Sequence, residues 1–190
     1  MQRHVMWTPD NGRGFEHLHL IESKSKVLGN GLFIGIKNDL PFRVRYEILA
    51  DAQWRVQSVY VHQETTPGTR DLWLLTDGDG HWTNHAGEHL PELDGCLDVD
   101  ISETPFTNTF SIRRLNLELN QSGEVRVAYL DIPSLTLSAK THRYTCLDRY
   151  KQGAIYRFEV VGENYAARLT VDSDSIVSKY PEVFRQVLPE

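Results

Sequence analysis

Only two cysteines, Cys96 and Cys146, occur among 190 residues, so no disulfide framework is needed to explain this chain. Both read as reduced thiols in a reducing compartment. No window approaches the roughly 20 consecutive apolar residues that span a bilayer. Residues 1–22 contain no signal-peptide core. A cytoplasmic protein without a transmembrane segment is therefore expected. A basic excess is also missing: 20 Lys and Arg stand against 26 Asp and Glu, for a net charge of -6. That balance excludes a general nucleic-acid binder, which needs a basic face. Neither a Gly-x-Ser-x-Gly elbow nor a phosphate-binding glycine loop is present. No cofactor is called for.

What is present is ordinary globular composition, with 40% hydrophobic and 24% charged residues. A chain of this length buries roughly 70% of its unfolded surface and needs no metal for stability. Strand signals dominate. Phe42, Val44, Tyr46 and Ile48 alternate with Arg43, Arg45 and Glu47, the two-residue period of a half-buried strand. Residues 15–22, 32–36, 54–60 and 72–76 carry similar signals, and Asp77-Gly78-Asp79-Gly80 marks a tight turn. Residues 84–105, rich in Gly, Pro, Asp and His, read as an irregular connector. Thr107, Asn108 and Thr109 then offer helix-capping side chains ahead of Ile112, Leu115 and Leu119 at helical spacing. Strand signals return over 125–180. Pro181 suits the first turn of a short terminal helix, with Val183, Phe184 and Val187 on its apolar side.

The two ends of the chain resemble each other. Arg45-Tyr46 corresponds to Arg143-Tyr144, and at the same spacing Val56, Ser58 and Tyr60 fall on Ala154, Tyr156 and Phe158. Equal parity predicts that both sets face inward. We expect one domain over 1–190, with repeats over 15–83 and 124–187 joined by a connector and helix over 84–123. The fold class is mostly β: a curved antiparallel sheet or open barrel-like roll, with a short central and a short C-terminal helix. Curved sheets leave a hollow at the mouth that suits small molecules.

Several clusters could carry chemistry. His81, His85 and His89 are spaced four apart, but Gly80, Gly87 and Pro91 argue against the helix that would align them on a metal. They read as solvated loop residues. His17 and His19 share one strand face and read as polar edge residues. Asp98 and Asp100 share one side if their segment is extended, a position suited to acid–base work. The alternative is that they cap the helix or pair with Arg113 and Arg114. Arg143 and Arg157 lie beside Tyr144 and Tyr156 on half-buried strands. Guanidinium groups facing a hollow suit phosphate, carboxylate or sugar hydroxyls; equally, they pair with acids across a sheet.

One stretch is distinctive: Leu93-Asp94-Gly95-Cys96-Leu97-Asp98-Val99-Asp100-Ile101, followed by Thr104-Pro105-Phe106-Thr107-Asn108-Thr109 and Ile112-Arg113-Arg114-Leu115. With Val127-Ala128-Tyr129, Arg143-Tyr144-Thr145 and Tyr156-Arg157, it resembles the bacterial putative glycolipid-binding family, formerly a domain of unknown function. The likeness runs over essentially the whole chain. It implies a duplicated, curved antiparallel sheet, similar in shape to lipoprotein-localisation carriers, with a cavity for a lipid or glycolipid. Two positions depart from the pattern: His142 stands where Gln is expected, and Ser175 where Gly is expected in the final turn.

The leading expectation is a non-enzymatic binder of an amphipathic small molecule, a glycolipid or fatty-acyl ligand. Trp54, Tyr60 and Phe158 would line its apolar interior. Arg113, Arg114, Arg143 and Arg157 would meet the polar head, with Asp98, Asp100, Asn108, Tyr144 and Tyr156 completing the site. The alternative is an enzyme acting on such a ligand through Asp98 or Asp100 beside an arginine. The oligomeric state is left open.

Overall fold

A computed structural model describes residues 1–188. Their strands are β1 (Gln2–Pro9), β2 (Gly14–Glu22), β3 (Lys26–Lys37), β4 (Leu40–Asp51), β5 (Val56–Thr65), β6 (Gly68–Thr76) and β7 (Trp82–Asn84) in the first half of the chain. The second half holds β8 (Asp98–Ile101), helix α1 (Asn108–Leu115), β9 (Ser122–Asp131), β10 (Thr136–Tyr150), β11 (Gly153–Val160), β12 (Ala166–Asp172), β13 (Val177–Tyr180) and β14 (Phe184–Leu188). All fourteen form one sheet in the order β7-β6-β5-β4-β3-β2-β1-β14-β13-β12-β11-β10-β9-β8. The fold is mostly β, as the alternation predicts. Each pair is antiparallel except β8 with β9, which run parallel.

Alternation fixes the inner face. In β4, Phe42, Val44, Tyr46, Ile48 and Ala50 are buried while Arg43, Arg45 and Glu47 point out. β3 interleaves glycines with its bulky inward residues, and the space they leave is filled from elsewhere. A Cβ on Gly31 would lie 2.0 Å from the Tyr46 ring, and one on Gly29 would lie 2.4 Å from Phe106. Close approach is the reason for glycine at both positions.

The sheet curls until its ends nearly meet. Gln63 Nε2 and Arg70 Nη2 both donate to Pro133 O, at 2.8 and 2.6 Å. Trp82 Nε1 donates to Cys96 O at 2.7 Å, and Gly95 N to Gly80 O at 2.9 Å. Antiparallel connection then sorts the turns onto two rims. Residues 10–13, 38–39, 66–67, 132–135, 161–165 and 181–183 lie at one rim, called upper here. Residues 23–25, 52–55, 77–81, 151–152 and 173–176 lie at the other. Helix α1 runs inside the curl, its N-terminus near the upper rim and its C-terminus near the lower.

Three sequence expectations are corrected. Residues 184–188 form β14, which pairs with β1 through Phe184–Pro9 and Arg185–Thr8, instead of a C-terminal helix. Pro181 sits in the preceding turn, where Glu182 takes a left-handed φ of 65° that no helix continues. β1 needs a partner on its second side, and this pairing overrides the local spacing. Tyr60 faces outward and bonds Asp71 at 2.6 Å, whereas Phe158 is buried. A bulge near Leu49 and Ala50 leaves Gln57 unpaired on β5, while the bulge in the second half leaves Leu147 unpaired on β10. One extra residue flips every later side chain. Finally, β2 is an interior strand: His17 and His19 lie on its outer face, stacked with His4 of β1.

The central helix ends at Asn116, whose φ of 41° and N–H bond to Ile112 O close it before Leu119. Thr107 precedes it but makes no side-chain cap. Its hydroxyl donates to Asp100 Oδ1 at 2.8 Å instead. The connector carries a 3-10 turn at Pro91–Leu93 and the short strand β8.

Candidate functional site

The upper rim holds a half-enclosed pocket of about 220 Å³. β8 supplies Asp100, the start of α1 supplies Asn108, and β10 supplies Lys140 and His142 on its inward face. Phe158, Tyr165 and Tyr180 add aromatic walls, and Val160, Val183 and Phe184 add aliphatic and aromatic surface toward the mouth.

Its polar groups are held in order. Thr107 occupies Oδ1 of Asp100, leaving Oδ2 3.7 Å from His142 Nε2. Burial depresses the His142 pKa, with Asp100 opposing and Lys140 assisting. The imidazole is therefore neutral at neutral pH, and this contact is polar, not an ion pair. A neutral imidazole both donates and accepts. Asn108 Oδ1 accepts from the wholly buried Tyr144 hydroxyl at 2.8 Å, while its amide donates to Pro105 O at 3.2 Å. Lys140 pairs with Glu163 at 3.0 Å and lies 4.1 Å over the Tyr129 ring. Burial, aided by Asp100, pushes the Tyr129 hydroxyl up to about 12, so it remains a donor.

A second depression, about 400 Å³, lies at the lower rim beyond the other end of α1. Gln53, Trp54, Arg113, Asn116, Arg149, Tyr156, Ser173 and Ser175 surround it, with Ile112 beneath.

The residues expected from sequence to form one site are thus divided. Asp100 and Asn108 line the upper pocket, with Tyr144 supporting Asn108. Trp54, Arg113 and Tyr156 line the lower depression. Asp98 and Arg114 reach neither: the Asp98 carboxylate is fully buried and accepts from Arg114 Nε and Nη2 at 2.8–3.1 Å and from Ser111 at 3.2 Å. Burial raises the Asp98 carboxyl pKa, with Arg114 and Ser111 working against that rise. Pairing with Arg114 is what Asp98 does. Arg143 and Arg157 lie on the outer face, paired with Glu124 at 2.6 Å and Glu159 at 3.0 Å. In a strand, neighbours such as Arg143 and Tyr144 cannot share a face.

Sequence reasoning missed Tyr129, Lys140, Glu163, Tyr165 and Tyr180. Lys140 and His142 share parity with Tyr144, a signal that would have found two pocket residues. Among the described residues, no group of three or more His, Cys, Asp or Glu is placed to hold a metal. Cys96 and Cys146 are free and buried. No helix among them is long and apolar enough to cross a membrane.

An open fourteen-stranded sheet curled round one short helix, with a polar and aromatic pocket at its rim, defines a protein of the mostly β class. Within that class, the chain belongs to the family described as "Putative glycolipid-binding", whose model matches residues 4–186. It is similar to a crystal structure of a DUF1089 family protein from Pseudomonas aeruginosa, with 36% identity, a TM-score of 0.81 and 92% of each chain covered. No curated protein matches it.

Proposed function

We propose that the protein binds a glycolipid or related sugar-bearing amphiphile without chemical change, and that the upper pocket receives the polar head. The observation that carries this reading is the combination of hydroxyl-binding groups with aromatic walls in that pocket. Asp100, Asn108, neutral His142 and Glu163 offer acceptors and donors, while Phe158, Tyr165 and Tyr180 present ring faces and edges. Sugars need both, because their hydroxyls must be satisfied while their C–H faces shed water.

Size limits what enters. Pockets that bury a whole drug-sized ligand span about 300–1,000 Å³, and this one, at about 220 Å³, suits a headgroup. The inner face of the sheet is filled by the buried side chains of Trp7, Trp82, Phe33, Phe106 and Phe110. The tail would lie instead along the same rim, past the Lys37–Glu103 ion pair, in an apolar trough formed by Leu40, Pro41, Phe42, Pro67 and Pro133. Each buried methylene there contributes about 0.8 kcal/mol.

Titration with octyl glucoside below its micelle concentration tests the reading. Saturable binding is expected, weakened roughly tenfold by Asp100→Asn, the loss of one charge-assisted hydrogen bond. A sugar-free detergent of equal chain length that binds as well, or no saturation with either, would remove the proposal.

A further inference from the structure

The lower depression differs in charge from the rest of this acidic chain. Its lining contains two arginines, Arg113 and Arg149, and no carboxylate. Arg3, Arg43, Arg55, Arg114, Arg143 and Arg157 each reach an acid. Arg113 and Arg149 are instead positioned by backbone carbonyls. Arg113 Nε and Nη2 donate to Asp174 O at 3.1 and 2.9 Å, and Arg149 Nη1 donates to Leu117 O. Both guanidinium groups are thereby oriented without being neutralised by a direct partner. Glu22, Asp172 and Asp174 contribute negative field around Arg113, but Asp172 and Asp174 are themselves engaged by Arg3.

Considerable structure goes into this placement. The Arg113 guanidinium lies 4.0 Å over the Trp54 ring, which is itself packed on Phe106 and Phe110. Trp54 adopts a φ of 63°, a left-handed conformation that is costly for a bulky residue. Asp51 holds that turn: its carboxylate accepts from Gln53 N, Arg55 N and Arg55 Nε at 2.7–2.9 Å. Around the two cations stand further donors, the Tyr156 hydroxyl, the Ser173 and Ser175 hydroxyls and the Gln53 and Asn116 amides. An adjoining recess shares Arg149 and Tyr156 and adds Lys151, along with the Arg3-bound Asp172. Convergent donors around unpaired guanidinium groups are the chemistry that recognises an oxyanion.

We propose that this groove is a second binding site, separate from the upper pocket, that takes a phosphate- or carboxylate-bearing compound. Arg113 and Arg149 hold the oxyanion, and the hydroxyls of Tyr156, Ser173 and Ser175 complete its shell. The site does not depend on the glycolipid reading, since it lies at the opposite rim and shares no lining residue with the upper pocket.

The test is an NMR titration of the intact protein with inorganic phosphate and, separately, glycerol phosphate, at constant ionic strength kept with chloride. Saturable movement of the Trp54 indole N–H signal is expected, and Arg149→Gln should weaken it roughly tenfold. Arg149 is exposed, so that variant keeps the fold even if Arg113→Gln does not. Saturation with equal affinity in Arg149→Gln, movement confined to residues outside the groove, or no saturation by either anion overturns the proposal. Vesicles of phosphatidylcholine with and without phosphatidic acid separate the sources. Sedimentation dependent on phosphatidic acid and lost in Arg149→Gln assigns a lipid phosphate, and binding of free glycerol phosphate alone assigns a soluble one. Either result sustains an oxyanion site.

Discussion

Among the described residues, each half of the sheet buries one carboxylic acid completely, and the two are treated in opposite ways. Asp98, in β8, is met by the Arg114 fork and Ser111. Glu16, in β2, has no cation. It accepts from the Tyr46 hydroxyl, Tyr46 in turn contacts Thr104 at 3.2 Å, and Glu16 Oε2 has no hydrogen-bond partner. Burial raises the Glu16 pKa from 4.5 to about 8. The first acid is thus a charge paid for by a partner, and the second is a neutral hydrogen-bonding group at neutral pH. A buried carboxyl is stable in either form, but each responds to a different perturbation.

Arg114→Ala would test the first half of that contrast and should have the largest effect. Removing one partner of a buried pair typically costs about 3–5 kcal/mol, because the remaining charge is left unpaired. A denaturation midpoint close to wild type would mean that Asp98 takes up a proton without penalty. Glu16→Gln tests the other half. The folded state keeps the Glu16 proton up to about pH 8, while the unfolded chain releases it near 4.5. Its contribution to stability is therefore full below the unfolded value and falls as pH rises toward about 8. Between pH 5 and pH 7 that decline is on the order of 3 kcal/mol. In Glu16→Gln this part of the slope should vanish, and an unchanged slope in urea titrations would contradict the assignment. The smallest effect belongs to Arg143→Ala and Arg157→Ala. Both side chains are exposed and surface ion pairs contribute little. Neither variant should shift the melting temperature or alter octyl glucoside binding. A binding defect in either would return the outer face to the site.

Much of the sheet is legible in the sequence because half-buried strands write their faces into alternation. β4 reads correctly from Phe42 to Ile48, and the one central helix is placed by Ile112. The failures have two physical sources. Bulges add a residue without any marking in composition, so the offset that aligns Tyr46 with Tyr144 misassigns Tyr60. Pairing partners are also invisible locally: β14 follows a sequence that suits a helix, and only the open side of β1 makes it a strand. Of the candidate site, the sequence marks individual residues but not their arrangement. Asp100, Asn108, Trp54, Arg113 and Tyr156 do line depressions, yet they fall at opposite ends of α1, some 12 Å of helix apart at about 1.5 Å per residue. Arg143 and Arg157 were grouped with tyrosines that strand geometry places on the other face. Glu16 carries no mark of its unusual state, since its burial depends on Gly31 admitting Tyr46 beside it.

The order of the strands has a consequence for how copies of this chain meet each other. A sheet of fourteen strands would ordinarily advertise two long borders of unpaired backbone, the template on which chains add to one another and aggregate. Here the borders are β7 and β8, three and four residues long, one closing the first stretch of strands and the other drawn from the connector. Thr83 of β7 already bridges to His89, and the two borders face each other through the Trp82–Cys96 and Gly80–Gly95 bonds. The irregular segment that supplies Asp98 and Asp100 therefore also acts as a hem, leaving neighbouring molecules little backbone with which to polymerise.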